Sequence, residues 1–272
     1  MKKLVLLVLL VLALSTIASA KSVKFPKDAQ VAPDVYYLGE ATDNGQPVQG
    51  YVIVHRKEAK AASCGNGMCE KGESASKCPV DCGKTDPSAG CYSFLAAGAK
   101  WKSVEPYLIN PVNAEGLDPA LVVSQFSNDV QTWNVVRGTI LGAGSATNVS
   151  LVADTAAPDG KNEVYFGTID DPGAIAITIV WGVFGGPSRN RVLSEWDQVY
   201  DQTDFDWSLA GETLKMDFDD IATHELGHSV GLSDLYNSQC GEQTMYGYAT
   251  EGETKKRTLE TGDKAGVRAL YG

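Results

Sequence analysis

His224-Glu225-Leu226-Gly227-His228-Ser229-Val230-Gly231-Leu232-Ser233-Asp234 has the form HExxHxxGxxD. Residues four apart share one face of a helix, so His224 and His228 can present their imidazoles to a single metal ion. Glu225, between them in the chain, can take a proton from a water held there. Gly231 can adopt backbone angles closed to other residues, letting the chain leave the helix sharply and return Asp234 as a third ligand. Two imidazoles and a carboxylate suit zinc, so the expected ligands are His224, His228 and Asp234, with Glu225 as the catalytic residue.

HExxH by itself recurs by chance in many helices; the added Gly231 and Asp234 make the pattern far more specific. Downstream, Met245 stands within Gln243-Thr244-Met245-Tyr246-Gly247-Tyr248. A lone methionine is usually core filling, and a turn beneath the histidines would need the same apolar floor. Upstream, Asp217, Asp219 and Asp220 suit a helix start, with Asp217 as the cap. Phe218, Ile221, Ala222 and Leu226 give that helix an apolar side.

The chain has 272 residues, with 23 basic and 34 acidic side chains and a formal net charge of −11. Lys2 and Lys3, the apolar run 4–14 and Ala18-Ser19-Ala20 form an export signal over residues 1–20. The run is shorter than the ~20 residues a membrane span requires, and no later stretch qualifies. The expected product is a secreted, soluble, monomeric protein of about 250 residues, enough for one domain and a small attachment. Its acidity argues against nucleic acid or an anionic membrane as partner.

Residues 21–62 read as a β segment, with strands over 35–40 and 48–56 joined at Asp43-Asn44-Gly45, a hairpin-turn signal. It is either a removable pro-segment or a permanent module, and the sequence does not choose. His55, at the end of its second strand, is expected to be a partly exposed strand histidine rather than a ligand. Residues 63–90 hold Cys64, Cys69, Cys78 and Cys82 with almost nothing apolar to bury, then a polar linker. In an exported chain these four cysteines read as disulfides rather than a four-cysteine zinc site, in any of three pairings. Asn66, Glu70, Glu73 and Asp81 offer oxygen ligands, so Ca2+ is a possible second cofactor there. By elimination Cys91 and Cys240 are expected to pair with each other.

Residues 91–272 form the main domain. Strands are expected over 101–110, 148–153, 163–169, 174–181 and 191–200. Pro119 opens a helix marked by Leu121, Val122, Phe126, Val130 and Trp133, and residues 261–270 close the chain as another helix. This order gives an α+β domain, a mixed sheet carrying helices.

The histidine helix, the glycine turn, the third ligand position and the Met245 segment together resemble a metzincin. Asp219-Asp220-Ile221-Ala222-Thr223-His224, Thr244-Met245-Tyr246-Gly247-Tyr248 and the run 259–272, Leu-Glu-Thr-Gly-Asp-Lys-Ala-Gly-Val-Arg-Ala-Leu-Tyr-Gly, resemble the matrixins in particular. The resemblance spans residues 91–272 and is specific from Asp217 onward. It implies a twisted five-stranded mixed sheet, a Met-turn, a C-terminal helix, and a cleft between the sheet and the C-terminal part. It further implies zinc-dependent hydrolysis of internal peptide bonds in protein or peptide substrates. An extended substrate would add to an edge strand, 174–181, with Ile177, Ile179, Tyr246 and Tyr248 as candidate contacts. Asp263 matches a position that braces the Met-turn. The chain departs from the family pattern in holding Asp234 where most metzincins have histidine. With three histidines in all, it has none for a second zinc, and no PRCGxPD-type cysteine switch is present. Two alternatives remain: a thermolysin-like site with Glu251 as third ligand, or a disulfide-rich extracellular binding protein whose metzincin domain is silent.

Overall fold

The structure, a computed structural model, describes residues 22–58 and 90–272. The expected export signal, the cysteines at 64, 69, 78 and 82 and the calcium-ligand candidates beside them lie outside the described residues. Along the chain run β1 (Gln30–Ala32), β2 (Val35–Asp43), β3 (Gln46–Lys57), β4 (Tyr107–Asn110) and α1 (Pro119–Asn134). Next come β5 (Gly144–Ala146), β6 (Asn162–Gly167), β7 (Ala174–Val183), β8 (Val192–Asp201), β9 (Trp207–Ser208) and β10 (Met216–Asp217). The histidine helix α2 (Phe218–Ser229), β11 (Tyr248–Ala249) and α3 (Thr261–Tyr271) follow.

The mixed α+β character is as the sequence implies; among the described residues the main sheet has nine strands, β1–β3 of the N-terminal segment joining β4–β8 and β11 of the main domain. Its order is β1-β2-β3-β7-β8-β6-β4-β5, with β11 on β3. β4, β5, β6 and β8 are mutually parallel neighbours, and β7 runs antiparallel to β8. β7 is therefore not an edge strand: β3 pairs antiparallel along its outer side, from Gln49 opposite Gly182 to Arg56 opposite Ala174. The reason lies in β3 itself, twelve residues whose Val52, Ile53 and Val54 are fully buried and need a sheet to lie in. Its hairpin turn is as read from the sequence, with Asn44 and Gly45 both at positive φ. The strand expected over 101–110 is confined to β4. The one expected over 148–153 is absent, because Glu163, Tyr165 and Asp197 side chains take the amides of Val152, Ala153 and Asp154.

Alternation along the strands sorts two cores. Ile177, Ile179 and Trp181 of β7 pack with Val52, Val54, Val199, Val23 and Phe25 on one face of the sheet. Ala176 and Val180 join Ile53, Trp196 and Tyr200 on the other, beneath α1 and α2. Thr178 and His55 sit in that second alternation, so both side chains point at α2. Helix α1 starts as expected, with Asp118 accepting from the Ala120 amide ahead of Pro119. Its Trp133 packs against α2 and donates from Nε1 to Thr223 O at 2.8 Å.

Every residue of α2 but Asp219 is buried, so its ends must be satisfied inside the protein. Asp217 accepts from the Asp220 amide and pairs with Arg257. At the other end, Trp101 Nε1 donates to Ser229 O, and the Leu232 amide returns to Gly227 O. That return requires Gly231 at φ 103°, where an added Cβ would lie 2.9 Å from both Ala99 O and Leu270 Cδ2. Gly231→Ala is therefore expected to cost about 1–3 kcal/mol. For a domain of this size that lowers Tm by about 2–4 °C per kcal/mol. Thermal unfolding measures it, and an unchanged Tm would contradict the assigned turn.

Candidate metal centre

α2 and the turn after it bring His224, His228 and Asp234 together, all buried. Asp234 Oδ1 lies 3.1 Å from His224 Nε2 and 3.5 Å from His228 Nε2. None of these three atoms has a partner in hydrogen-bonding geometry. Leaving one buried polar atom unpaired costs about 1–3 kcal/mol, so three facing a common point call for an ion. The other ring nitrogens fix the tautomers. His224 Nδ1 donates to Thr244 O at 2.7 Å and His228 Nδ1 to Leu232 O at 3.0 Å, leaving each Nε2 lone pair free to ligate. The two rings stand edge to face with centroids 4.9 Å apart. Imidazoles converging tetrahedrally on one ion at Zn–N bonds of ~2.0–2.1 Å would show a spacing of about 5 Å. The residues thus fit zinc.

Without the ion, the triad is an ion-pair cluster. Burial opposes charge on His228, but Asp234 and Glu225 close by overcome it and raise His228 to about 9. Burial would raise Asp234, yet the two histidines hold it well below the usual carboxylate range. His224 is lowered, chiefly by burial.

Glu225 is fully buried beside the triad, and burial raises it to about 7. Thr178 Oγ1 donates to its Oε2 at 2.5 Å. A carboxylate poised near neutrality can accept a proton and return it. Met245 lies beneath α2, where a side chain at Gly227 would collide with its sulfur. Asp263 accepts from the amides of Thr244 and Met245, at 2.9 and 3.2 Å, fixing the carbonyl that orients His224. The Cys91–Cys240 disulfide is formed, tying the start of the domain to the segment before Met245.

The structure departs from the sequence reading at His55. This residue is not partly exposed; it is fully buried, stacked on His224 with centroids 3.7 Å apart, and its Nδ1 lies 3.2 Å from Glu225 Oε1. Alternation along β3 turns it towards α2 and pairing with β7 seals it there, which local sequence does not convey. Tyr236 also escaped the sequence reading. Its hydroxyl lies 3.2 Å from Asp234 Oδ2, 3.2 Å from Asp34 Oδ2 and 3.1 Å from Pro33 O. Ile177 and Ile179 are buried in the core on the opposite side of the sheet from α2. Tyr246 and Tyr248 pack against each other, and Tyr248 also against Tyr236. Glu251 pairs with Lys57 and is not among the side chains whose ligand atoms cluster.

Two further groups bring possible ligand atoms close together: His55, His224 and Glu225, which overlaps the first, and the three carboxylates Asp154, Glu195 and Asp197 beside β8. Burial, with Asp154 and Asp159 nearby and against the hydrogen bond from the Gly160 amide, pushes Glu195 up to about 8.

Residues 189–272 match the matrixin family model, a stretch that includes α2, Asp234, Met245 and Asp263. No curated protein matches the chain. The family match supports a zinc metalloprotease of the metzincin type in general, in line with the resemblance carried by the sequence.

Two pH-linked outcomes follow from these environments. His228 is raised in the metal-free centre and a ligating imidazole must be neutral, so metal uptake at pH 7 is expected to release protons, His228 among their sources. Calorimetry in buffers of different ionisation enthalpy reads this, and zero release would contradict the assigned charge state. Glu195 has a folded value above its ordinary one. Its contribution is therefore fully present below about 4.5 and lost as pH rises through about 8. Metal-free wild type should lose stability over that window, and Glu195→Gln should lose less; parallel profiles would contradict the shift.

Proposed function

We propose that this chain is a secreted, monomeric endopeptidase that uses one zinc ion, held by His224, His228 and Asp234, to hydrolyse internal peptide bonds of extended protein substrates. The observation that carries this reading is the set of three buried, unpartnered ligand atoms with a carboxylate base beside it. Bound there, zinc supplies Lewis-acid polarisation of the scissile carbonyl and acidifies water. The chain's own residues do the rest. Glu225 takes the proton of the attacking water and delivers it to the departing amine. Thr178 holds the Glu225 carboxylate in place through its short hydrogen bond. Asp263, through the Thr244 carbonyl, keeps His224 in the ligating tautomer, and Met245 fills the floor without ligating.

The export pattern at residues 1–20 supports action outside the cytoplasm. Among the described residues no helix is long and apolar enough to cross a membrane. The single-zinc reading rests on histidine scarcity, since His224 and His228 are committed and His55 is engaged with Glu225.

Zinc-loaded protein, tested both intact and after processing on its N-terminal side, is expected to cleave casein in at least one of the two forms and to lose that activity with a chelator. Glu225→Ala prepared in the same way should keep its zinc and lose about 10²–10⁴-fold in turnover, the usual worth of a general base. Loaded wild type that cleaves nothing in either form would favour a silent binding domain instead.

A further inference from the structure

β3 is bonded along both edges where it passes the metal centre. Arg56 pairs with Ala174 of β7 on one side and with Tyr248 of β11 on the other. Glu58 donates its amide to Ala249 O, and the Lys57 amide reaches Gly173 O. The strand thus lies between the sheet and the segment following Met245, the place where an extended peptide would add. Its register uses the outer edge of β7 from Ala174 to Gly182, so that edge offers no free amides or carbonyls to another strand.

Side chains from the same hairpin close the centre. His55 Nδ1 engages Glu225 Oε1, while Thr178 takes the other oxygen, so both oxygens of the base are occupied. The His55 ring covers His224 at a centroid spacing of 3.7 Å, too short for both rings to ligate one ion at the ~5 Å of tetrahedral zinc. Its Nε2 has no hydrogen-bond partner. On the ligand side, Tyr236 bridges Asp234 to Asp34 and Pro33, at the turn leading into β2. Arg56 locks that turn to the body of the domain, donating to Asp34 and to Asp171. His224, Glu225, His228 and Asp234 are all buried with the hairpin in place.

We propose that residues 22–57 hold the chain in a latent state: β3 occupies the peptide cleft between β7 and β11, and His55 occupies the base Glu225, until the hairpin is removed. The inference rests on the endopeptidase reading for its biological sense, but its physical content, a cleft filled by the chain's own strand, can be measured without any proteolysis. It replaces a thiol on the metal with an imidazole on the base as the element that silences the site.

The test uses the full chain loaded with cobalt, whose visible absorption reports its ligands, and acetohydroxamate as the probe of an open site. A recognition site for an added protease, placed within residues 83–90 beyond the cysteine cluster, allows the hairpin to be cut off. If the open form is the minor one before cutting, apparent hydroxamate affinity should rise about 100-fold or more after it. His55→Ala in the uncut chain should raise it about 10-fold by the same relation, and this arm needs no cut product to stay folded. Equal affinity before and after cutting, with His55→Ala also unchanged, would overturn the proposal. A gain on cutting with none in His55→Ala would overturn the role of His55 and leave the strand as the block. Peptide hydrolysis is followed in parallel. A cut form that binds hydroxamate tightly yet hydrolyses nothing would count against the endopeptidase reading and for the latency of the site.

Discussion

Three buried atoms without hydrogen-bond partners, His224 Nε2, His228 Nε2 and Asp234 Oδ1, are the constraint around which the C-terminal half is arranged. Such atoms are destabilising unless something charged sits among them. The surrounding structure keeps them facing one another rather than letting them find other partners. The carbonyls of Thr244 and Leu232 hold the far side of each imidazole. Asp263 fixes the first of those carbonyls, and Gly231 permits the turn that delivers the second along with Asp234. Thus the Met245 segment, the closing helix and the glycine turn all serve one arrangement of ligand atoms.

The same centre explains the N-terminal hairpin. A sheet ending at β7 would expose a long strand edge beside a charged cluster, an invitation to any extended chain. β3 meets that edge with a strand from the same polypeptide, burying Val52 and Val54 on Ile177 and Ile179 while stacking His55 on His224. The apolar face holds the hairpin in the sheet; the polar face determines what it does to the site. Tyr236 joins the two parts, since one hydroxyl touches both Asp234 and the turn before β2.

Much of the centre was legible in the sequence because its chemistry is local. The four-residue spacing of His224 and His228, the adjacent Glu225 and the glycine before Asp234 all lie within one helix and its exit turn. Helix α1 and the Asp43-Asn44-Gly45 turn were equally readable from caps, periodicity and turn residues. What escaped depends on contacts between distant segments. His55 and Glu225 are 170 positions apart, and only strand pairing shows that they meet. For the same reason β7, rich in Val and Ile, reads as a strand without revealing whether its outer side is free. Thr178 looks like an ordinary strand residue until the sheet faces α2.

X-ray absorption at the zinc edge of the intact, metal-loaded chain tests the central arrangement most directly, because it counts imidazoles around the ion. One zinc per chain, with two imidazoles and a carboxylate oxygen among its ligands, is the expected result. Three imidazoles would place His55 on the metal instead of on Glu225, and a chain that holds no zinc would contradict the centre altogether.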